Sequence, residues 1–495
     1  MKKLGFDSEK YLSMQSARIE ERIKEFGGKL YLEFGGKLFD DFHAARVLPG
    51  FAPDNKIKML EMLKDRAEIV IVISAQDIAK NKVRADLGIT YDADVLRLIG
   101  IFRSYGLFVG SVVLSKFTED NEPAINFQRR LESMGMPVYR HYNIKGYPSN
   151  VAHIVSDEGY GKNEYIETTR NLVVVTAPGP GSGKMATCLS QLYHEYRRGQ
   201  KAGYAKYETF PVWNLPLMHP VNVAYEAATA DLDDVNMIDP WHLAAYNEST
   251  VNYNRDVEIF PVLNATFEKL MGKSPYHSPT DMGVNMVGYC IEDDAVCCKA
   301  SHQEIIRRYY KALVNEIKHH KESTESDKIA LLMQRLGISV EDRAVAVAAR
   351  HRAEEKNCPA AAIELADGRI VTGRTTDLFG CSASMILNAL KTLAGIDDEV
   401  KLIDRRCIEP VQELKTKYLG GKNPRLHVDE MLVALSSSAA TNPVARLAME
   451  QLPKLADCEA HTTVILSHID EKMFRQLRVR HTAEPVYRDK TVYHE

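Results

Sequence analysis

The sequence predicts an α/β protein whose N-terminal region holds an open, mostly parallel sheet with helices on both faces. Three observations support this prediction. Short apolar runs alternate with amphipathic segments, the run at 172–176 (LVVVT) is apolar throughout, and a glycine-rich turn follows that run directly. Strands that are buried on both faces and joined by helical crossovers are typical of parallel sheets.

The elements of this region are predicted from the spacing of apolar residues. The spacing predicts strands at 29–34, 68–74, 107–114, 137–142 and 172–176, and helices at 54–66, 93–105, 124–134 and 185–197. Ligands of such sheets bind beyond the carboxyl ends of the strands. Functional residues are therefore expected where these strands end.

The strongest functional signal is the glycine-rich turn between the last of these strands and its helix. It reads APGPGSGK, and its candidate cofactor-binding residues are Gly179, Gly181, Ser182, Gly183 and Lys184. Glycines let backbone N–H groups turn toward an anion, the helix start adds a positive dipole end, and the lysine adds a positive charge. The turn predicts binding of ATP, another nucleotide or phosphate, with Mg²⁺ as a candidate companion.

The turn departs from the phosphate-loop pattern G-x-x-x-x-G-K-[ST] at two positions. Pro178 stands where the first glycine belongs, and Met185 stands where the magnesium-binding hydroxyl belongs. A tight turn that only packs the helix on the strand is the alternative. A Rossmann-type NAD(P) site is another, although the glycines are spaced G-x-G-x-G rather than G-x-G-x-x-G.

A second candidate anion site, Gly35-Gly36-Lys37, follows the first predicted strand. A surface turn is the alternative interpretation of these residues. The carboxylate that would hold a metal is not identified, because Asp77 and the acids at 292–294 compete for that role.

Residues 211–325 are dense in asparagines, acids, histidines and prolines, and we interpret them as a mainly helical insertion or cap over the sheet. They separate a nucleotide- or phosphate-binding domain at 1–210 from a C-terminal α/β domain at 326–495. The cap supplies the candidate catalytic residues, which are Arg255, His277 and Asp281. We expect Arg255 and His277 to approach Lys184 across one cleft, because a site at a sheet edge needs a further wall.

The C-terminal domain is predicted to be a second α/β unit. The spacing predicts helices at 329–336, 340–356 and 382–394, a hairpin at 360–372, and strands at 401–403, 431–435 and 462–466, of which 431–435 has a helical alternative. This topology faintly resembles that of cytidine deaminases. The zinc-binding H-x-E and P-C-x-x-C motifs of those enzymes do not occur in context, so zinc chemistry is not expected.

Composition limits the partners and the compartment. The 495 residues carry a net charge of −4 without a basic stripe, and no run of 18 apolar residues occurs, so neither nucleic acid nor a membrane is expected as a partner. The N-terminus lacks the apolar stretch of a signal peptide. The eight cysteines form no C-x-x-C pair, which favours free thiols in a cytoplasmic protein without structural zinc.

Long phrases of the sequence resemble a bacterial protein family of about this length for which no activity is established. They are LEFGGKLFDDFHAARVLPGF at 32–51, APGPGSGK at 177–184, HSPTDMGVNM at 277–286 and NPRLHVDEMLVALS at 423–436. The resemblance covers nearly the whole chain. It implies a nucleotide-binding-like α/β region, helical material and a deaminase-like α/β unit. Members sometimes carry protease labels, but the zincin H-E-x-x-H motif is absent here.

Together these features favour a nucleotide- or phosphate-dependent enzyme, of the phosphotransferase or ligase type, that acts on a small polar metabolite. A Rossmann-type NAD(P)-dependent enzyme and a non-catalytic ligand-binding or assembly protein are the alternatives. We expect a homo-oligomer, since the small residues at 436–443 are typical of close packing or a subunit contact.

Overall fold

The computed structural model describes residues 3–36, 38–39, 41–84, 87–320, 322 and 324–487. Lys37, one of the predicted anion ligands, lies outside the described residues. The chain divides into two compact units, one at Leu4–Ser301 and one at His302–Glu495 together with Met1–Lys3. Each unit has its own apolar core.

The first unit contains eleven strands and twelve complete helices among the described residues. Its strands are β1 (Leu30–Phe34), β2 (Ala67–Ser74), β3 (Val83–Arg84), β4 (Ile89–Thr90), β5 (Phe108–Phe117), β6 (Val138–Tyr142), β7 (Leu172–Thr176), β8 (Gly203–Tyr207), β9 (Asn236–Ile238), β10 (Val251–Tyr253) and β11 (Gly283–Val284). Its helices are α1 (Ser8–Glu25), α2 (Phe42–Val47), α3 (Asn55–Met62), α4 (Ala75–Ala79), α5 (Tyr91–Ser104), α6 (Glu122–Ser133), α7 (Val151–Ile154), α8 (Lys184–Arg197), α9 (Pro220–Ala228), α10 (Pro240–Tyr246), α11 (Asn254–Met271) and α12 (Pro279–Met282).

Seven of these strands form one sheet in the order β11-β8-β1-β7-β2-β5-β6, and every neighbouring pair is parallel. The predicted parallel sheet is therefore confirmed. Because the strands are parallel, their carboxyl ends lie along one edge. β1 and β7, which precede the two predicted anion-binding segments, are direct neighbours in this sheet.

Both faces of the sheet are covered by helices, as predicted. Alternate residues of β1 show this, since Leu30, Leu32 and Phe34 belong to the core that packs with α1, α3, α5 and α6. Tyr31 belongs to the core on the other face, which packs with α8 and α11. The side chain of Glu33 lies on the same face as that of Tyr31, because side chains two residues apart in a strand point to the same side of the sheet. A buried carboxylate in this position indicates a partner or a function.

The second unit has a smaller mixed sheet. After α13 (Asp294–His319), which runs across the boundary between the units, it contains α14 (Thr324–Leu336), α15 (Ala344–Lys356), β12 (Ala360–Glu364), β13 (Ile370–Arg374), α16 (Cys381–Ala394), α17 (Arg405–Glu413), α18 (Val428–Ala439), α19 (Pro443–Met449), β14 (Glu459–Thr462), α20 (His468–Gln476) and β15 (Arg480–Ala483). The sheet order is β13-β12-β14-β15. β12 is antiparallel to both of its neighbours, whereas β14 and β15 are parallel.

Several sequence predictions for single elements need correction. The segment at 401–403 is not a strand, the segment at 431–435 is part of helix α18, and the strand expected at 462–466 ends at Thr462. The helix expected from 340 begins at Ala344, after a short 3₁₀ turn that Ser339 and Asp342 cap. Periodicity alone cannot separate a short apolar strand from a buried helix, which explains the error at 431–435.

Among the described residues, no helix combines the length and the apolar character that crossing a membrane requires.

Candidate functional site

The candidate site lies at the carboxyl edge of the large sheet, where β8, β1 and β7 stand side by side. Glu208 follows β8, Gly35 and Gly36 follow β1, and the glycine-rich loop follows β7. Helices α8 and α11 both begin near this edge and cover the same face of the sheet. The sequence thus brings a loop, two helix starts and three strand ends together.

The glycine-rich loop adopts a fixed conformation. Gly181 and Gly183 have positive φ angles of 74° and 92°, which favour glycine. The buried Ser182 accepts a hydrogen bond from the Ser115 hydroxyl through its carbonyl at 2.5 Å, and its own hydroxyl donates to the Gly179 carbonyl at 2.8 Å. The first of these bonds attaches the loop to β5, and the second joins two residues of the loop.

Helix α8 begins at Lys184, directly after the loop. Gly183 occupies its N-cap position and supplies no side-chain acceptor for the first N–H groups of the helix. Unsatisfied N–H groups and the positive dipole end make such a helix start favourable for an anion. The loop therefore has two of the features that predicted anion binding, namely turned backbone N–H groups and the positive end of a helix. Its sequence nevertheless lacks the complete phosphate-loop pattern.

Lys184 faces β1 rather than open solvent. Its Nζ atom lies 4.0 Å from Oε1 of Glu33, and its side chain is 14% exposed. The other Glu33 oxygen accepts a hydrogen bond from the Tyr204 hydroxyl at 2.8 Å. Glu33 thus links the glycine-rich loop to β8, on which Tyr204 lies.

A buried group of charged and phenolic side chains continues from Glu33 and is here called the acid–lysine cluster. It consists of Glu33, Lys206, Glu208, Tyr253 and Asp256. Lys206 is the direct partner of Glu33 across the β1–β8 pair. Its ammonium group lies 2.9 Å from Oε1 of Glu208 and also contacts the Asp256 carboxylate and the Tyr253 hydroxyl. Tyr253 in turn donates to Glu208 Oε1 at 3.0 Å.

The charges of the cluster determine its protonation. Burial lowers the pKa of Lys206, but attraction by Asp256 and Glu208 outweighs burial, so the pKa lies well above its ordinary value. Burial raises the pKa of Glu208 to about 7, with Asp256 acting in the same direction and Lys206 opposing it. A carboxyl group of this kind can gain and lose a proton near neutral pH, as a general acid or base must.

The predicted catalytic residues His277 and Asp281 lie in another group of contacts. Asp281 Oδ2 accepts the His277 backbone N–H at 2.8 Å and the Tyr246 hydroxyl at 2.9 Å, and Oδ1 lies 3.6 Å from Nδ1 of His242. The Asp281 carbonyl accepts from Arg22, which lies in the last turn of α1. The contacts of the described residues join this pair to α1 and α10, not to Lys184.

Arg255, the third predicted catalytic residue, forms an ion pair with Asp234, and its side chain is 57% exposed. Its neighbour Asp256 is the residue that reaches Lys206. The polar segment at 252–256 therefore contributes to the cluster, but through Tyr253 and Asp256 rather than through Arg255. The expectation that Arg255 and His277 share a cleft with Lys184 stays a prediction.

The remaining candidates have local partners. Gly36 has a φ of 70° and lies beside Lys56, whose ammonium group forms a buried ion pair with Asp41 at 2.8 Å. Asp77 lies 3.4 Å from Lys82. Of the acids at 292–294, Glu292 pairs with Lys10 at 2.8 Å.

One group of side chains has the composition of a metal site. Nε2 of His219 lies 2.9 Å from Asp294 and 3.6 Å from the Cys298 sulfur. Nδ1 of His219, however, accepts the Val221 backbone N–H at 3.3 Å, which places the ring proton on Nε2. A metal-bound imidazole instead donates through its second nitrogen. The arrangement therefore favours a hydrogen bond from His219 to Asp294.

The sequence predictions missed most of the acid–lysine cluster. β8 was not predicted, because Gly203 and Lys206 interrupt its apolar pattern. A signal was nevertheless present in β1, where Glu33 stands inside an otherwise apolar strand. A charged residue in a strand that is buried on both faces requires a partner. For Glu33 this partner is supplied by β8, the neighbouring strand in the sheet.

Comparison with known proteins finds relatives over the full length. The model of the domain of unknown function DUF1846, N-terminal, matches residues 4–337, and that of its C-terminal counterpart matches residues 341–493. A UPF0371 protein of Corynebacterium diphtheriae is 60% identical over 490 residues, covering 99% of both chains. A UPF0371 protein of Streptococcus uberis is 56% identical over 494 residues, covering both chains completely. These similarities bear out the family resemblance.

Proposed function

The chain belongs to the DUF1846 family, and we propose that it is a nucleotide- or phosphate-binding enzyme of the phosphotransferase or ligase type. The donor phosphate would bind at the glycine-rich loop, and a small polar metabolite would bind beside it. The observation that carries this proposal is the joining of the loop to the acid–lysine cluster through Glu33, which approaches Lys184 and is paired across the sheet with Lys206.

Phosphate binding is supported by the loop geometry. Gly181 and Gly183 expose backbone at the start of α8, and Lys184 adds a positive charge beside it. The ammonium group of Lys184 would bind the phosphates of ATP as the lysine of a P-loop enzyme does. Met185 has no hydroxyl and therefore cannot bind Mg²⁺ as the Ser or Thr of a P-loop does. Mg²⁺ would then bind mainly to the phosphates, for which few protein ligands suffice.

Calorimetric titration tests this proposal. Wild-type protein is titrated with ATP, GTP, NAD, NADP and inorganic phosphate, each with and without Mg²⁺. We expect a nucleotide or phosphate to bind, Lys184→Ala to abolish binding, and the exposed Lys64→Ala to leave it unchanged. Equal affinity of wild type and Lys184→Ala would contradict the proposal. Binding of NAD or NADP alone would favour the Rossmann-type alternative.

For the second unit we propose a cytidine-deaminase-like topology without the zinc chemistry. The order β13-β12-β14-β15, with an antiparallel hairpin followed by a parallel pair, supports this comparison. The unit would serve ligand binding or assembly of a cytoplasmic homo-oligomer. Light scattering behind size exclusion, at several protein concentrations, measures the assembly, and a monomer at all of them would contradict it.

A further inference from the structure

One oxygen of Glu208 is fixed and the other is free to act. Oε1 lies against Lys206 at 2.9 Å and accepts from Tyr253 at 3.0 Å. Among the residues that the structure describes, none donates a hydrogen bond to Oε2. A carboxylate held through one oxygen keeps its orientation while the second oxygen remains available to a ligand.

The free oxygen lies beside Gly283, whose missing side chain lets the Trp213 ring pack closely against the backbone. A Cβ atom on Gly283 would lie 3.5 Å from Glu208 Oε2 and 2.3 Å from the ring of Trp213. The indole N–H of Trp213 is buried and makes no hydrogen bond within the described part of the chain. The Thr209 hydroxyl, one residue after Glu208, is likewise buried without a hydrogen-bond partner. Buried polar groups of this kind call for a ligand or water.

The charge of this region restricts the ligand. The carboxylates of Glu208 and Asp256 contact the ammonium group of Lys206, and Glu33 is the register partner of Lys206 on β1. These carboxylates would repel an anionic ligand. A neutral hydroxyl group fits better, because it can donate to Glu208 Oε2 and accept from a neighbouring donor such as the Trp213 indole.

The distance to the glycine-rich loop is also suitable. β8 and β7 are separated by β1 alone, so two strand spacings, roughly 10 Å, lie between them. A nucleoside triphosphate bound at the loop and a polyol bound at Glu208 would bridge this distance together.

We propose that Glu208, Trp213 and Gly283 form the acceptor subsite of the enzyme, which binds a neutral polyol, and that Glu208 is its general base. This inference rests on the proposed function. The acceptor hydroxyl gives its proton to Glu208 Oε2, and its oxygen forms the new bond to the γ-phosphorus of a nucleoside triphosphate. The bond from that phosphorus to the bridging oxygen breaks, and the nucleoside diphosphate leaves. Glu208 then releases the proton to solvent.

The fluorescence of Trp213 can report binding of a ligand at the subsite in the absence of any reaction. The chain has two tryptophans, Trp213 and Trp241, so Trp241→Phe leaves Trp213, which lies near Glu208, as the one tryptophan that can be excited selectively over the tyrosines. This variant is titrated with glycerol, D-glucose and myo-inositol, with acetate as the anionic comparison. We expect one polyol to change the emission saturably, Glu208→Gln to weaken its binding at least tenfold, and the exposed Glu268→Gln to have no effect. Saturation by none of the three polyols would overturn the inference.

Turnover tests the role of Glu208 separately from binding. With Mg-ATP and the polyol that binds, release of ADP should fall by about 10²-fold or more in Glu208→Gln, while the affinity for ATP stays at the wild-type value. An unchanged rate in this variant would refute its role as base. The outcomes remain distinguishable, because loss of the proposed function appears as a failure to bind ATP or phosphate, whereas polyol binding is measured without them.

Discussion

Glu33 and Lys206 stand directly opposite each other on the adjacent parallel strands β1 and β8, on the face covered by α8 and α11. Opposite charges at paired positions attract each other across the sheet. Glu33 also approaches Lys184, while Lys206 contacts Glu208 and Asp256. This one cross-strand pair therefore connects the glycine-rich loop with Glu208, which follows β8, and with Asp256, which lies at the start of α11.

Lys206→Met should strongly destabilise the first unit. The substitution removes the only ammonium group shared by Glu208 and Asp256 among the described residues, and leaves their buried carboxylates uncompensated. Breaking such a buried pair costs about 3–5 kcal/mol. Urea unfolding at pH 7.5 measures the loss, with the exposed Lys64→Met as the matched control. Equal stability of the two variants would contradict the structural account of the cluster.

Two glycines of the loop should differ in their tolerance of a side chain. Gly181→Ala places a Cβ atom in open space, so only the positive φ is unfavourable, at about 1–2 kcal/mol. Gly183→Ala adds contacts of 3.2 Å with Cβ and Oγ of Ser115. We expect the larger loss of stability for Gly183→Ala. Gly135→Ala, with a similar φ and open surroundings, serves as the control and should match Gly181→Ala in thermal unfolding.

The sequence predicted five of the seven strands of the large sheet, because most of these five are buried on both faces and largely apolar. The run at 172–176 has the bounds of β7, and 29–34 differs from β1 by one residue. Helix α1 was missed although Asp7 caps it and Tyr11, Gln15 and Ile19 lie on its buried side. Such a polar helix is stabilised by its tertiary contacts more than by its apolar pattern.

The acid–lysine cluster could not be predicted from local patterns. Glu33, Lys206 and Asp256 are far apart in sequence, and only the strand order and register bring them together. Arg255 and Asp256 illustrate the limit, because both are charged neighbours in one polar segment, yet one is largely exposed and the other is buried. Which of two adjacent side chains points inward depends on where the helix begins, and helix boundaries are the least certain part of a sequence prediction.

The protein should contain no stoichiometric zinc. Of the His219, Asp294 and Cys298 group, the histidine already accepts the Val221 N–H through Nδ1. Burial and then Asp294 raise the pKa of the Cys298 thiol to about 11, whereas a metal requires the thiolate. Elemental analysis of untagged protein purified without chelator checks this expectation. One zinc per chain in wild type, lost in His219→Ala, would show that the group is a metal site.

The second unit should lose stability on mild acidification because it holds the partly buried His481 in its neutral form. His481 packs on Phe474 and hydrogen-bonds Thr462 through Nε2 at 2.9 Å. Burial, assisted by His461 and Arg343, lowers the pKa of His481 from 6.5 to about 3. Below pH 6.5 the unfolded chain therefore binds a proton that the folded chain does not. The resulting stability is fully present above pH 6.5 and is lost as the pH falls toward 3.

Between pH 7.5 and 5.5 this single group should reduce the free energy of unfolding by about 1.4 kcal/mol. His481→Gln removes the titration, so its stability should fall less over this interval, whatever its absolute stability. The exposed His468→Gln should retain the wild-type dependence on pH. Urea unfolding of the three proteins at both pH values measures the difference. An equal slope for His481→Gln and wild type would mean that His481 is protonated in the folded protein, because only a group that stays neutral on folding contributes this loss.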